Sequence, residues 1–87
     1  MTKKSKIIKI IGEDNCADCA ILFNLINECI KAKNLDVEIK KIRSISNEAL
    51  DLAVDFDINT IPFAIFKKKK IVFNKNTSKN DIEEFVK

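Results

Sequence analysis

Hydrophobic positions along the chain alternate between short bursts and longer periodic stretches. "KIIKII", Lys6–Ile11, is short, β-branched and ended by Gly12, the only glycine in the chain, and it predicts a buried strand. After the polar "EDN", a helical pattern runs from about Cys16 to Asn34. Cys19, Leu22, Phe23, Ile26, Cys29 and Ile30 share one face of that helix, while Asn24, Asn27, Glu28 and Lys31 fall elsewhere. "VEIKKI", Val37–Ile42, alternates apolar and polar residues and predicts a second strand with one wet face.

"SISNEALDLAVDF" then predicts a second helix. Ser46 suits its N-cap and Glu48 its first turn, and Leu50, Ala53 and Val54 are expected to form its inner face. "INTIP" ends it, because the residue before Pro62 disfavours helical geometry. "FAIFK", Phe63–Lys67, and "IVFNK", Ile71–Lys75, predict a third and a fourth strand, with the lysine run between them as a hairpin turn. "TSKNDIEEFVK" closes the chain as a helix capped by Ser78 or Asn80, with Ile82, Phe85 and Val86 facing inward. The order is β-α-β-α-β-β-α. The expected class is α/β, a four-stranded mixed sheet flanked by helices, with residues 1–87 as one domain. The first two strands run parallel across a helical crossover and the last two form an antiparallel hairpin.

Composition agrees and removes several function classes. The chain has 87 residues, 46% hydrophobic and 33% charged, an ordinary globular balance. The net charge is +3 and, apart from "KKKK" at Lys67–Lys70, the basic residues are dispersed, which does not suggest nucleic-acid binding. "MTKKSKIIKIIGED" starts basic, but Lys9 splits its apolar stretch, so it lacks the unbroken run of a signal peptide. No stretch approaches the roughly 20 apolar residues of a membrane span. A cytoplasmic location is therefore expected, with no membrane contact. In that reducing compartment a C-x-x-C pair more often carries redox or metal chemistry than a permanent disulfide.

Two of the three cysteines stand in "EDNCADCAILF". Cys16 falls at the mouth of the predicted helix, beside free N–H groups and the positive end of the helix dipole, both of which favour a thiolate. Cys19 lies one turn further on the same face, close enough to form a disulfide with Cys16. Cys16 would attack and Cys19, deeper under the helix, would resolve. Two other readings stay open. The cysteines could simply fill the helix's inner face. Or two chains could each give Cys16 and Cys19 to a shared metal or iron–sulfur cluster, since such sites usually want four ligands and the chain has no histidine. Cys29, ten residues past Cys19, would lie about 15 Å along the helix, too far to share an ion. It is expected to be a core residue.

Beyond the cysteines, "FDINTIPFAIFKKKKIVF", Phe56–Phe73, resembles the segment of thioredoxins in which a helix ends, an Ile-Pro follows and a hydrophobic hairpin begins. "TSKNDIEEFV", Thr77–Val86, is similar to the start of their last helix. With the C-x-x-C, the resemblance to the thioredoxin-like superfamily covers most of the chain. The size and layout are nearer to glutaredoxins and the small thioredoxin-like proteins built on that minimal core. The resemblance implies a thioredoxin-like fold and a thiol–disulfide oxidoreductase that uses a CxxC dithiol and no cofactor. It implies that the Ile61–Pro62 bond is cis and lies beside the cysteines, with the backbone of Ile61 pairing with an extended substrate. The implied partners are disulfide-containing protein substrates and, as electron donor, a thioredoxin reductase-like enzyme or glutathione. The chain is expected to act as a monomer.

The sequence also departs from that pattern. Asn15 stands where many members carry an aromatic residue, and the strand before the CxxC holds no acid. The motif has no internal proline, and "NKNTSKND" replaces the paired glycines with which many glutaredoxins approach glutathione. Glu13, Asp14 and Asp18 surround Cys16 and should repel its thiolate. Less thiolate stabilisation means a more reducing couple, so a reductase rather than an oxidase is expected. Phe63, next to Pro62, is expected near the site. The alternative functions are a homodimeric metal or Fe–S binding module and a redox-inactive interaction protein of the same fold.

Overall fold

In the computed structural model of the chain, which describes residues 6–87, β1 spans Ile7–Gly12 and α1 Ala17–Lys33. They are followed by β2 (Glu38–Arg43), α2 (Asn47–Asp55), β3 (Phe63–Phe66), β4 (Lys69–Val72) and α3 (Lys79–Phe85). The basic start, residues 1–5, lies outside the described residues. The sheet order is β2-β1-β3-β4. β1 pairs in parallel with β2, and β3 runs antiparallel to both β1 and β4. No described helix is long and apolar enough to cross a membrane.

The strict alternation of a strand sends neighbouring residues to opposite faces, and both faces are covered. On one, Ile8 and Ile10 of β1 and Ala64 and Phe66 of β3 meet Leu22, Ile26, Cys29 and Ile30 of α1 and Ile82 and Phe85 of α3. On the other, Ile11, Ile42, Phe63 and Ile65 meet α2 and Ile58. α1 keeps the predicted face: Cys19, Leu22, Ile26, Cys29 and Ile30 are buried and Phe23 is half-buried. Asn34 caps its C-terminus in the left-handed region, φ 53°. α3 starts at Ser78 with a capping box, since Ser78 Oγ accepts from the Asp81 N–H and the Asp81 carboxylate accepts from the Ser78 N–H.

Four expectations change. In α2 the inner face is Ala49, Leu52, Ala53 and Phe56, while Leu50 and Val54 are 55% and 80% exposed. Apolar residues take up more than half the circumference of this short helix, which leaves room for two stripes, and the one that meets the sheet is turned by one residue from the expected one. β2 has no single wet face. Ile39 packs on the α1 side and Ile42 on the α2 side, because residues three apart point oppositely, and the lysines around them reach solvent as an edge strand allows. The hairpin turn uses only Lys67 and Lys68. Phe66 already pairs with Lys69, so Lys69 and Lys70 belong to β4, and β4 ends at Val72 rather than Lys75. Lys67 takes the positive φ of that tight turn, 58°. Phe63 turns into the core on the α2 side instead of toward the cysteines.

Lys9 stands directly opposite Lys40 in the parallel pair, an unfavourable cross-strand placement. Glu48, in the first turn of α2, reaches both ammonium groups, at 2.9 Å from Lys9 and 3.5 Å from Lys40. The hydrogen bond from Lys9, helped by the charge of Lys40, holds the Glu48 carboxyl below its ordinary range.

Candidate functional site

Gly12 ends β1, three exposed residues follow, and Cys16 opens α1 as its N-cap. An N-cap ordinarily presents a side-chain oxygen to a free backbone N–H. Here the Cys16 sulfur does so: the Cys19 N–H donates to Cys16 Sγ at 3.1 Å, while the Cys16 carbonyl accepts the first helical bond from Ala20 at 3.2 Å. A donor already aimed at that sulfur favours a thiolate there. Cys16 is half-buried and Cys19 is 8% exposed. The two are joined as a disulfide with their Cα atoms 5.1 Å apart. The Glu13 N–H points at the Cys19 sulfur from the other side, at 3.4 Å.

The absent side chain of Gly12 is what admits Cys19. A Cβ at Gly12 would lie 2.5 Å from Cys19 Sγ and 3.0 Å from Cys19 Cβ, and 3.8 Å from Pro62 Cβ. Gly12 thus has both the Cys19 sulfur and the proline ring close by. Pro62 arrives there because Ile11 pairs with Phe63, which sets the preceding residue of β3 beside Gly12. The Ile61–Pro62 bond is cis. Pro62 is buried, and its carbonyl accepts from the Phe73 N–H at 3.0 Å. Ile61 is 42% exposed beside it. The fold therefore gathers Cys16, Cys19, Ile61 and Pro62 at one end of the central strands.

A cleft of about 140 Å³ opens at the cysteines. Besides Cys16 and Cys19 it is lined by Glu13 and Asp14 from the loop and by Lys41 and Arg43 from β2. The parallel register brings the two cations there, Lys41 opposite Ile10 and Arg43 opposite Gly12. The charge around Cys16 is thus not that of the three carboxylates alone. Asp18 is not among the cleft residues, the Glu13 carboxylate accepts from the Ser44 hydroxyl, and two cations face the pair. Lys41 also lies over the Phe23 ring, 4.4 Å from its centre. Lys41, Arg43, Ser44 and Gly12 do not stand out as site residues in the sequence. The only signal for the first two is their alternation in a strand parallel to the one that delivers the CxxC.

Cys29 sits apart from this site on the inner face of α1, 4% exposed. Burial pushes its thiol up, with nearby Lys33 opposing only in part, so it does not behave as an activated thiol. Among the described residues no group of three or more His, Cys, Asp or Glu side chains is disposed to hold a metal ion.

No family model matches the chain. No curated protein sequence matches it either. Solved structures do. The chain is similar to an uncharacterized thioredoxin-like protein from Clostridium perfringens, at 24% identity over 95% of this chain and 71% of that one, with a TM-score of 0.67. It is similar to thioredoxin 1 from Thermosipho africanus TCF52B, at 24% identity over 92% of this chain and 89% of that one, with a TM-score of 0.60. A structure titled as a malarial protein aligns at 17% identity over 95% and 94% of the two chains, with a TM-score of 0.57. The fold is thioredoxin-like, with the C-x-x-C pair at the start of its first helix.

Proposed function

We propose that this thioredoxin-like chain is a thiol–disulfide oxidoreductase working as a disulfide reductase. The observation that carries the reading is the asymmetry of the pair: Cys16 caps the helix at the surface with an N–H donor on its sulfur, and Cys19 lies beneath it. In the reduced protein the Cys16 thiolate attacks one sulfur of a substrate disulfide, and the substrate's other sulfur leaves as a thiolate. The Cys19 thiolate then attacks Cys16 Sγ, the bond to the substrate breaks, and the second substrate thiolate departs. Two electrons have passed to the substrate and the Cys16–Cys19 disulfide remains. A thioredoxin reductase-like enzyme or glutathione restores the dithiol.

The exposure of Ile61 beside the buried Pro62 supports Ile61 as the position that pairs with an extended segment of a disulfide-bearing protein. On this reading the chain acts as a monomer in the cytoplasm. The capping box of α3 takes up the Ser78 and Asp81 N–H groups, which leaves fewer donors there for a glutathione carboxylate.

The variant Cys19→Ser tests the reading. It should accumulate mixed disulfides between Cys16 and substrate proteins, and adducts that form without Cys16 would defeat it. The direction of transfer is tested by the reduction potential of the pair. The reductase reading expects a value near the reducing end, about −270 mV, on the carboxylates Glu13, Asp14 and Asp18 near Cys16. The N–H donor on Cys16 Sγ and the cations Lys41 and Arg43 in the cleft pull the other way, and a value around −120 mV would make the protein an oxidant instead.

A further inference from the structure

Resolution needs Cys19 as a thiolate, yet its surroundings disfavour one. Cys19 is 8% exposed, and burial raises a thiol's pKa. No charged or polar side chain is buried among the described residues, so no buried carboxylate stands by as a base. What reaches the sulfur is a single backbone donor, the Glu13 N–H at 3.4 Å. A hydrogen bond to the charged form favours that form.

The Glu13 amide belongs to an exposed loop, and Ser44 fastens that loop to the edge strand. Ser44, the residue after β2, donates its N–H to the Gly12 carbonyl at 3.0 Å and its hydroxyl to the Glu13 carboxylate. The contact extends the β1–β2 register, in which Gly12 faces Arg43, by one residue. It spans 31 positions of sequence and joins the strand that carries Gly12 to the edge strand. Gly12 in turn lets Cys19 sit against the same turn of backbone.

We propose that Ser44 is a positioning residue for the resolving step: it clips Glu13 so that the Glu13 N–H stays on Cys19 Sγ and stabilises the Cys19 thiolate. This rests on the reductase reading. In the step concerned the Cys19 thiol gives its proton to solvent, its sulfur bonds to Cys16 Sγ, and the Cys16–substrate bond breaks. The departing thiolate keeps that bond's electron pair. No other oxidant or reductant takes part. Glu13 and Asp14 on the loop and Lys41 and Arg43 on β2 share the cleft with Cys19, Asp18 is exposed nearby on α1, and Pro62 on the β3 side brings no charge.

The aromatic disulfide 5,5′-dithiobis(2-nitrobenzoate) separates the two steps, because attack by Cys16 frees one nitrothiobenzoate and resolution by Cys19 frees the second. The Ser44→Ala protein should release the first at the parent's rate within about twofold. It should release the second about tenfold more slowly, the low end of losing a hydrogen bond to a charged group. The pH midpoint of the second phase should rise by about one unit. Ser44→Thr, which keeps the hydroxyl, should restore both. Glu13→Ala on the exposed loop should reproduce the slow second phase, which keeps the test decisive if Ser44→Ala folds poorly. An unchanged second phase, or both phases slowed alike with the pH midpoint unmoved, would overturn the proposal. A parent protein that releases only the first nitrothiobenzoate would instead overturn the reductase reading beneath it.

Discussion

The two faces of the sheet are built differently. On the α1–α3 side, two helices press a continuous layer of buried side chains onto Ile8, Ile10, Ala64 and Phe66, and Cys19 is buried one turn before that layer on α1. On the α2 side, a nine-residue helix contributes one fully buried residue, Ala49, with Leu52, Ala53 and Phe56 only partly covered. That face also carries a charge, Lys9, which is answered by Glu48. The difference separates two duties. The thick face fixes the helix that bears the cysteines. The thin one covers the sheet where the Ser44 loop and Phe63, next to Pro62, meet it.

Truncations on the two faces should therefore differ in size. Ile26 is fully buried in the middle of α1, and Ile26→Ala should cost about 2–5 kcal/mol in urea unfolding, through lost burial and an unfilled cavity. Leu52 is half-buried on α2, and Leu52→Ala should cost about 1 kcal/mol, since fewer methylenes leave contact and water can enter the gap. Equal costs, or the reverse order, would break the comparison.

The same contrast governs what is legible in the sequence. α1 runs 17 residues, so its buried face, Cys19, Leu22, Ile26, Cys29 and Ile30, repeats over several turns and is legible in spite of apolar residues off that face such as the exposed Ile21. α2 offers apolar residues at 49, 50, 52, 53, 54 and 56, which support two stripes a residue apart. Only the sheet chooses between them. In "KKKK" composition is the same in turn and strand, so only the pairing of Phe66 with Lys69 locates the turn. Cys16 and Cys19 are legible because a thiol pair at a helix start is a local pattern. Lys41, Arg43 and Ser44 are not, because they join the site through strand register across a crossover. The charge around Cys16 differs from its reading along the chain for the same reason: Lys41 and Arg43, which share the cleft with Glu13 and Asp14, are neighbours only in space. The cis form of Ile61–Pro62 follows from the family resemblance and not from the residues themselves.

A smaller effect should appear at the charged spot of the thin face. Folding holds the Glu48 carboxyl below its ordinary value through Lys9 and then Lys40. A carboxyl depressed in the folded state stabilises that state above its unfolded pKa, about 4.3, and the contribution fades as pH falls through the lower folded value. Glu48→Gln should therefore be less stable than the parent near pH 7, and the gap should close steadily below about pH 4.3. Added salt should also narrow it, because the groups are partly exposed. A gap that persists unchanged at low pH would assign the effect of Glu48 to packing.

The smallest effect tests the seating of α2 itself. Leu50 and Val54 are apolar, four apart on one side of the helix, and largely exposed. Replacing both with Gln removes little buried area, and Gln is a better helix former than Val. The Leu50→Gln, Val54→Gln protein should stay within about 0.5 kcal/mol of the parent, as surface substitutions do. If α2 were instead seated with Leu50, Ala53 and Val54 against the sheet, the same pair would place two amides in the core. Each buried amide without a partner would then cost about 1–3 kcal/mol, and the loss would rival that of Ile26→Ala. A near-silent double variant beside a costly Ile26→Ala would fix both the turn of the helix and the thinness of the layer beneath it.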